Sequence, residues 1–526
     1  MASMNRDLPE KIVRLCLDKA AEAPQWLPQD MLGLVFLRFV CASGEASGEA
    51  AGKAPLRPGR GGRAGAEESP EPRKGPFLVP DSARWDTIFP PGIIPAETGS
   101  PETGREDPAA PREGPPNSAP DPSRAVAGAI RIIEGENPLL RNLFPETLSR
   151  PPSRRAPARD IPFFWELGGL LGKLSAGETG RVFTGLLGEF EKALPWSRRT
   201  RKDPGPFFPA LPEAPVPPRV AALLALMLEP YQGRFFDPCC GSAGISAGAA
   251  DFISARRGKL AELAFYGQER RAETWRLARM NLMVRGVDTG GILWNPGGPL
   301  LRDPQGDIKF DFIAACPPAE GDPYSWIRYT LDRLSPAGLG ALVLPRSSLH
   351  SPRSDEREIR RSLVEGRLLD CVVNLPPRIF SSHSLGPCVW FFSRAKISRG
   401  RRGDEALFID ARNLGRPLNR RDWEFSPGDI SRIARTYHNW RFPKAVPYRD
   451  VRAFAVSVLI PRIREAAYCL NPAHYLGIGE EEEEEPGRGL HFAALRAEFE
   501  ALVKEEGRLN RRTLESLRKI REEDLR

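Results

Sequence analysis

The stretch Phe235-Phe-Asp-Pro-Cys-Cys-Gly-Ser-Ala-Gly244 decides the fold of this chain. Two phenylalanines lead to Asp237, a glycine-containing turn follows, and the small residues after Gly244 suit a helix. This order is typical of the first strand–turn–helix unit of a nucleotide-binding α/β fold. In such a unit, glycine lets backbone amides approach a ligand beside a helix N-terminus. The turn therefore marks a candidate ligand site.

An acidic residue lies one strand further along the chain, in Ala264-Phe-Tyr-Gly-Gln-Glu269. A carboxylate at the end of the second strand is placed to accept hydrogen bonds from both hydroxyls of a ribose. The alternative interpretation is a tight structural turn followed by a surface glutamate. Because both features occur in register, the pattern favours the ligand site.

The pattern around this turn predicts an open, largely parallel α/β sheet. From about residue 215, short apolar runs alternate with amphipathic stretches. Upstream, the patterns predict a helical N-terminal domain over residues 1–195, with low-complexity linkers at about 42–76 and 96–124. Residues 196–479 then form the α/β domain. Residues 480–526 carry an acidic linker and a helix whose apolar stripe suits a partner helix or packing within the chain.

The composition restricts the class of protein. The 526 residues are 41% hydrophobic and 27% charged, which are values typical of a globular chain. No apolar run approaches the ~18–20 residues of a membrane span, and the first residues lack a signal-peptide pattern, so we expect a cytoplasmic protein. The eight cysteines form no CxxC pair, which argues against a disulfide framework and a structural zinc site. A net charge of +8 permits a polyanionic partner without establishing one.

The longer context of the turn resembles the modification subunit of type I restriction–modification systems, a family of DNA adenine-N6 methyltransferases. The resemblance rests on the turn itself, on Thr274-Trp-Arg-Leu-Ala-Arg-Met-Asn-Leu282, and on later segments such as NLPPRIFSSHSLGPCVWFFSR and YCLNPAHYLG. It implies a Rossmann-like methyltransferase domain with S-adenosylmethionine as cofactor. It also implies DNA and a separate specificity subunit as partners, with two copies of the chain per complex and, in some complexes, a restriction subunit.

The resemblance assigns cofactor contacts to the first two strand ends. It implies that Asp237, Gly241 and Gly244 line the methionine part of the cofactor. It implies that Glu269 holds the ribose, in agreement with the position of that residue after the second strand.

Three positions depart from the pattern of the family. Ala243 stands where the family has glycine, which is tolerated at negative φ but crowds the approach of the backbone amides at positive φ. The stretch Gly205-Pro-Phe-Phe-Pro209, which contains Phe207, resembles a degenerate form of the segment that contacts the cofactor in the family. Leu293–Pro299 contains no acid, whereas the family has an aspartate there that holds the adenine of the cofactor.

The candidate catalytic residues are Cys316, Pro317, Pro318 and Ala319, which fall where the family carries an Asn-Pro-Pro-aromatic tetrapeptide. In the family, the Asn side chain and the first Pro carbonyl accept hydrogen bonds from the amino group of a flipped-out adenine, and the ring stacks on that base. A thiol is a weak acceptor and alanine has no π-face. The substitutions therefore predict slow or absent methyl transfer, with Tyr324 as a candidate substitute for the missing ring.

The sequence leaves three functions open. The first, which the sequence favours, is a type I DNA adenine-N6 methyltransferase subunit with reduced activity. The second is a catalytically inactive scaffold that binds DNA and a specificity subunit. The third is a methyltransferase that acts on another substrate, which the extent of the resemblance disfavours.

Overall fold

The computed structural model describes residues 7–22, 28–51, 77–90, 122–149, 161–193, 215–318, 321–380, 386–395, 403–419, 422–442, 447–476, 505–506 and 508–509. The acidic run and nearly all of the predicted C-terminal helix lie outside these residues. In the described ranges, no helix has both the length and the apolar character that crossing a lipid bilayer requires.

The described residues before 194 form a helical unit around one apolar core. Its helices are α1 (Leu8–Glu22), α2 (Pro28–Ala51), α3 (Trp85–Ile88), α4 (Ser123–Glu136), α5 (Glu146–Ser149), α6 (Ile161–Leu171) and α7 (Ala176–Ala193). In α4 the buried residues Val126, Ile130 and Ile133 recur at helical spacing, so a single face of the helix enters the core. The helical pattern predicted upstream of the sheet is therefore present.

The structure corrects the start of the first predicted linker. Helix α2 continues past residue 42 to Ala51. Ala42 is buried, and a side chain at Gly44 would come within 2.8 Å of Val79, so this part of the helix packs against residues 77–79. The Ala- and Glu-containing composition that indicated a linker is equally compatible with a helix. Helix α4 begins at Ser123, at the predicted end of the second linker, whose residues up to 121 lie outside the described ranges.

The second unit begins with α8 (Pro218–Leu228) and contains a nine-stranded sheet. Its strands are β1 (Gly233–Asp237), β2 (Leu263–Glu269), β3 (Gly291–Trp294), β4 (Phe310–Ala315), β5 (Leu334–Pro345), β6 (Leu369–Asn374), β7 (Pro387–Ser393), β8 (Glu405–Asp410) and β11 (Ala455–Leu459). The short strands β9 (Arg416–Pro417) and β10 (Trp423–Glu424) pair separately. The helices are α9 (Gly244–Ala255), α10 (Ala272–Met283), α11 (Pro323–Arg333), α12 (Ser354–Glu365), α13 (Pro427–Arg441), α14 (Ile460–Glu465) and α15 (Pro472–Tyr475).

The strand order is β11-β8-β6-β7-β5-β4-β1-β2-β3. Strand β1 lies between β2 and β4 and is parallel to both, while β7 is antiparallel to its neighbours β5 and β6. Every residue of β6 is buried, as expected for a strand covered by helices on both faces. The predicted α/β fold with a largely parallel sheet is confirmed, and the chain reverses direction across the sheet at β1, where such folds bind their ligands.

Helix α10 joins the two units. Leu277, Met280 and Met283 on one face contribute to the core of the helical unit, whereas Ala278 and Leu282 on the other face contribute to the core beneath the sheet. Because α10 begins just after β2, the helical unit packs directly behind the end of that strand.

A buried arginine fixes the position of α11. The guanidinium of Arg360 on α12 donates to the Tyr324 hydroxyl at 2.6 Å, to the Ser351 carbonyl at 2.7 Å and to the Tyr468 carbonyl at 3.0 Å. The Tyr324 hydroxyl in turn donates to the Ser348 carbonyl. Three segments that are distant in the sequence are thereby tied to the start of α11.

We predict that Arg360→Met lowers the free energy of unfolding of the α/β unit by roughly 3–5 kcal/mol, because three buried acceptors lose a charged donor. Arg361→Met on the same helix is the matched control: its side chain is 57% exposed and it should change stability by less than about 0.5 kcal/mol. Urea unfolding followed by tryptophan fluorescence measures both values. Equal effects of the two substitutions would contradict a clamping role for Arg360.

Candidate functional site

The carboxyl ends of four parallel strands meet at one cavity. Asp237 ends β1, Glu269 ends β2, Asn295 follows β3 and Cys316 follows β4, and all four residues line the cavity. Its volume is about 630 Å³, which lies within the usual range for small-molecule sites, roughly 300–1,000 Å³. The sequence predicted that Asp237, Glu269 and Cys316 border one pocket, and the structure brings them together.

The carboxylate of Glu269 organises the floor of this cavity. One oxygen accepts the N–H of Gly241 at 3.1 Å, and the other accepts the N–H of Arg271 at 2.9 Å. Gly241 has a φ of +54°, a conformation that glycine adopts without strain. Burial raises the pKa of Glu269, against the opposing effect of these backbone donors. An ionised carboxylate offers about four acceptor positions, so Glu269 retains capacity for ligand hydroxyls.

Asp237 is almost completely buried, with 1% of its surface exposed. Its carboxyl accepts the Cys239 N–H at 3.2 Å and a hydrogen bond from the Cys239 thiol. Burial, reinforced by the charge of nearby Glu269, raises the pKa of Asp237 to about 8. At neutral pH this carboxyl therefore holds a proton until a cation compensates its charge.

Ala243 adopts the positive φ at which the sequence predicted crowding, +64° with ψ of +33°. A left-handed conformation costs a non-glycine residue roughly 1–2 kcal/mol. The methyl group is nevertheless buried in the core beneath the sheet and does not line the cavity, unlike Gly241, Ser242 and Gly244. The methyl group therefore does not enter the cavity.

The helical unit contributes to the same turn. The Ser242 hydroxyl donates to Glu191 of α7 at 2.6 Å, and the Asn281 side chain of α10 donates to the Ser242 carbonyl at 2.8 Å. Burial raises the pKa of Glu191 to about 7. The turn after β1 is consequently held from both units of the chain.

Thr274 and Asn295 are among the polar residues of the cavity that were not predicted from the sequence. The hydroxyl of Thr274 on α10 is buried and, within the described structure, has no hydrogen-bond partner. Asn295 lies in the stretch Leu293–Pro299, where the family has an aspartate. Its side-chain amide donates to Gln268 at 2.7 Å and to the Arg302 carbonyl at 2.7 Å, which leaves its carbonyl oxygen as the available acceptor. The only sequence signal for Asn295 is its position directly after the third strand.

The candidate catalytic segment is only partly in the cavity. Cys316 and Pro318 line it, whereas Pro317 is half-buried beside it. Ala319, like Phe207 of the cofactor-contacting segment, lies outside the described residues.

Tyr324 does not substitute for the missing ring. It is 1% exposed, it does not line the cavity, and its hydroxyl is held by Ser348 and Arg360. This alternative, which the sequence did not favour, is therefore excluded. Trp326, two residues further along α11, lines the cavity beside Cys316 and Pro318.

Comparison with known proteins defines the class of this chain. The family model described as N-6 DNA Methylase matches residues 196–324 and 307–485, which is more than half of the chain. The chain belongs to this family.

The similar proteins are methylase subunits of type I restriction enzymes. The HindI methylase subunit of Haemophilus influenzae is 33% identical over 314 residues, covering 55% of this chain and 68% of the relative. The MjaIX methylase subunit of Methanocaldococcus jannaschii is 26% identical over 367 residues, covering 64% of this chain and 62% of the relative. The chain thus spans about two thirds of each of these two relatives, and the predicted resemblance is confirmed.

Two experimental structures share the fold. The type I methyltransferase subunit of Streptococcus thermophilus superposes with a TM-score of 0.52 at 22% identity, over 66% of this chain and 75% of that one. A chain from a study of complex assembly and conformational transition of a type I restriction–modification system gives a TM-score of 0.60 at 16% identity, over 96% of this chain and 98% of that one.

We predict that Asn295→Asp, which introduces the acid that the sequence lacks, destabilises the site instead of restoring it. An ionised aspartate cannot donate to Gln268 and Arg302, and it places negative charge against two acceptor oxygens. The expected loss in the free energy of unfolding is about 2–3 kcal/mol at pH 8. Because protonation removes this charge, the difference from the wild type should shrink as the pH falls towards 5. A stability equal to that of the wild type at pH 8 would contradict the assigned orientation of Asn295.

Proposed function

We propose that this chain is the modification subunit of a type I restriction–modification system and transfers a methyl group from S-adenosylmethionine to N6 of adenine in DNA. The observation that carries the proposal is the single cavity that joins Asp237 and Glu269 with Cys316. Membership of the N-6 DNA methylase family and the similarity to type I methylase subunits support it.

The residues of the cavity suit S-adenosylmethionine. Asp237 is positioned to compensate the positive charge of the methionine end, and Glu269 retains acceptor positions for ribose hydroxyls. The unpartnered Thr274 hydroxyl and the carbonyl oxygen of Asn295 offer further polar contacts, the latter an acceptor for an adenine amino group. When bound, the cofactor supplies an electrophilic methyl group.

Cys316 determines how well the chain activates the target amino group. The N6 lone pair of adenine is delocalised into the ring, and acceptors beside the amino hydrogens favour a geometry in which it is available for reaction. The Pro317 carbonyl is one such acceptor, and the thiol of Cys316 is a weak second one. Loss of a positioned polar group where charge develops costs ~2.7–4 kcal/mol, or two to three orders of magnitude in rate. The proposed transfer is therefore slow.

The proposed complex contains two copies of this chain, DNA and a specificity subunit that selects the DNA sequence. Some complexes also contain a restriction subunit. The thiol at position 316 also favours a second candidate function, a non-catalytic subunit that binds DNA and the specificity subunit. Methyl transfer by variants at this position separates the two.

We predict that Cys316→Asn increases methyl transfer by about ten- to a thousandfold, because an amide oxygen replaces a weak acceptor. The measurement is incorporation of labelled methyl groups into DNA bearing the target site, using the chain assembled with its specificity subunit. Cys469→Asn, outside the cavity, is the control and should leave the rate unchanged. Wild-type turnover equal to that of Cys316→Asn would contradict the proposed role, and no transfer by either protein would favour the non-catalytic subunit.

We further predict that cofactor affinity rises with pH up to about 8, since Asp237 must lose its proton to compensate the cationic ligand. Between pH 6 and pH 8, each unit by which the pH is raised should increase the affinity for the cofactor by up to about tenfold. Asp237→Asn should bind more weakly at pH 8 and lack this dependence.

Calorimetric titration from pH 6 to pH 9 gives the affinity ratio of the wild type to Asp237→Asn, and this ratio cancels the titration of the cofactor itself. Glu269 and the thiols of Cys239 and Cys240 are the other titratable groups beside Asp237, and both proteins retain them. A ratio that does not change with pH would exclude the coupled proton release.

A further inference from the structure

The indole of Trp326 is an unusual polar group in the wall of the cavity. Trp326 is 5% exposed, and it lines the cavity together with Cys316 and Pro318. Its ring meets Tyr329 edge-on, with centroids 6.3 Å apart and an interplanar angle of 81°. The side chain is therefore held in place by packing at the end of the cavity that carries the candidate catalytic segment.

The indole N–H of Trp326 makes no hydrogen bond to any residue that the structure describes. Six other tryptophans in the described part of the chain donate this group to a carbonyl or hydroxyl oxygen: Trp85, Trp275, Trp294, Trp390, Trp423 and Trp440. An indole N–H usually finds an acceptor. Trp326, which lines the cavity together with Cys316, makes no such bond to a described residue. The indole nitrogen of Trp326 is not fully buried, so a molecule in the cavity can reach it.

The pyrrole edge of the indole faces the turn after the candidate catalytic segment. A Cβ atom added to Gly321 would lie 3.3 Å from the indole nitrogen and 3.9 Å from its neighbouring carbon. Gly321 also donates its N–H to the Pro318 carbonyl at 3.3 Å. The absence of a side chain at Gly321 leaves the approach to the N–H open.

We propose that Trp326 binds the target base, its indole N–H donating a hydrogen bond to a ring nitrogen of the flipped-out adenine. This inference rests on the proposed function. Adenine carries three ring nitrogens that accept hydrogen bonds, whereas its amino group is a donor that faces Cys316 and Pro317. A donor on the cavity wall thus complements the edge of the base that the catalytic segment does not contact. This hydrogen bond would contribute part of the affinity for the base that the family obtains from an aromatic residue at the position of Ala319.

The test uses the chain assembled with its specificity subunit, saturated with S-adenosylhomocysteine, and four target duplexes. The target position carries adenine or its 1-deaza, 3-deaza or 7-deaza analogue, each of which lacks one ring acceptor. We expect Trp326→Phe to weaken binding of the adenine duplex by roughly three- to tenfold, as fluorescence anisotropy measures it. We expect the wild type to bind one of the three analogue duplexes as weakly as Trp326→Phe binds the adenine duplex. Trp326→Phe should bind that analogue duplex no more weakly than the wild type does.

Two comparisons separate the hydrogen bond from packing. Gly321→Ala keeps the indole but places a methyl group against its nitrogen, and it should reproduce the loss if Trp326→Phe folds poorly. Trp423→Phe removes an indole N–H that is bonded to the Leu414 carbonyl outside the cavity, and it should bind all duplexes like the wild type.

The remaining outcomes overturn the inference. Wild-type affinity of Trp326→Phe for the adenine duplex, or the same loss with all four duplexes, excludes the hydrogen bond to the base. Weaker binding of S-adenosylhomocysteine by the variant, with unchanged DNA binding, assigns the indole N–H to the cofactor instead. Failure of the wild-type complex to prefer its target duplex over unrelated DNA refutes the proposed function itself.

Discussion

The carboxylate of Glu269 accepts backbone hydrogen bonds from two turns that follow different strands, and the geometry of the cavity depends on this arrangement. Glu269 thereby joins the glycine turn after β1 to the start of α10, in addition to the hydrogen bond between Asn281 and the Ser242 carbonyl. Burial, reinforced by the charge of Glu269, raises the pKa of Asp237 to about 8, so a cation in the cavity would favour the ionised form of this carboxyl. A cavity lined by Asp237 and Glu269 therefore favours a positively charged ligand.

The helical unit belongs to the site as much as the sheet does. Glu191 of α7 accepts a hydrogen bond from the hydroxyl of Ser242 in the glycine turn. Opposite faces of α10 contribute to the cores of the two units. The side chain of Arg279 on α10 also donates to the Leu139 carbonyl of the helical unit. A displacement of the helical unit would therefore be transmitted to the turn that borders the cavity.

The sequence predicted the sheet and the positions of Asp237 and Glu269 because both follow from local patterns, namely apolar runs that end in an acid or a glycine turn. Thr274, Asn295 and Trp326 could not be predicted in this way, since their importance depends on which face of an element meets the cavity. Tyr324 and Trp326 are close in the sequence, and the distant Arg360 holds the first away from the cavity. Similarly, the composition after residue 42 indicated a linker, whereas helix α2 continues to Ala51 and packs at Gly44 against residues 77–79, a contact between segments that are distant in the sequence.

The most direct test of the proposed site is a crystal structure of the chain with S-adenosylhomocysteine. We expect the ribose hydroxyls to contact Glu269, the amino group to lie beside Asp237, and the sulfur to face Cys316 across the cavity. Ligand density elsewhere on the protein, or an empty cavity at a saturating ligand concentration, would contradict the proposed site.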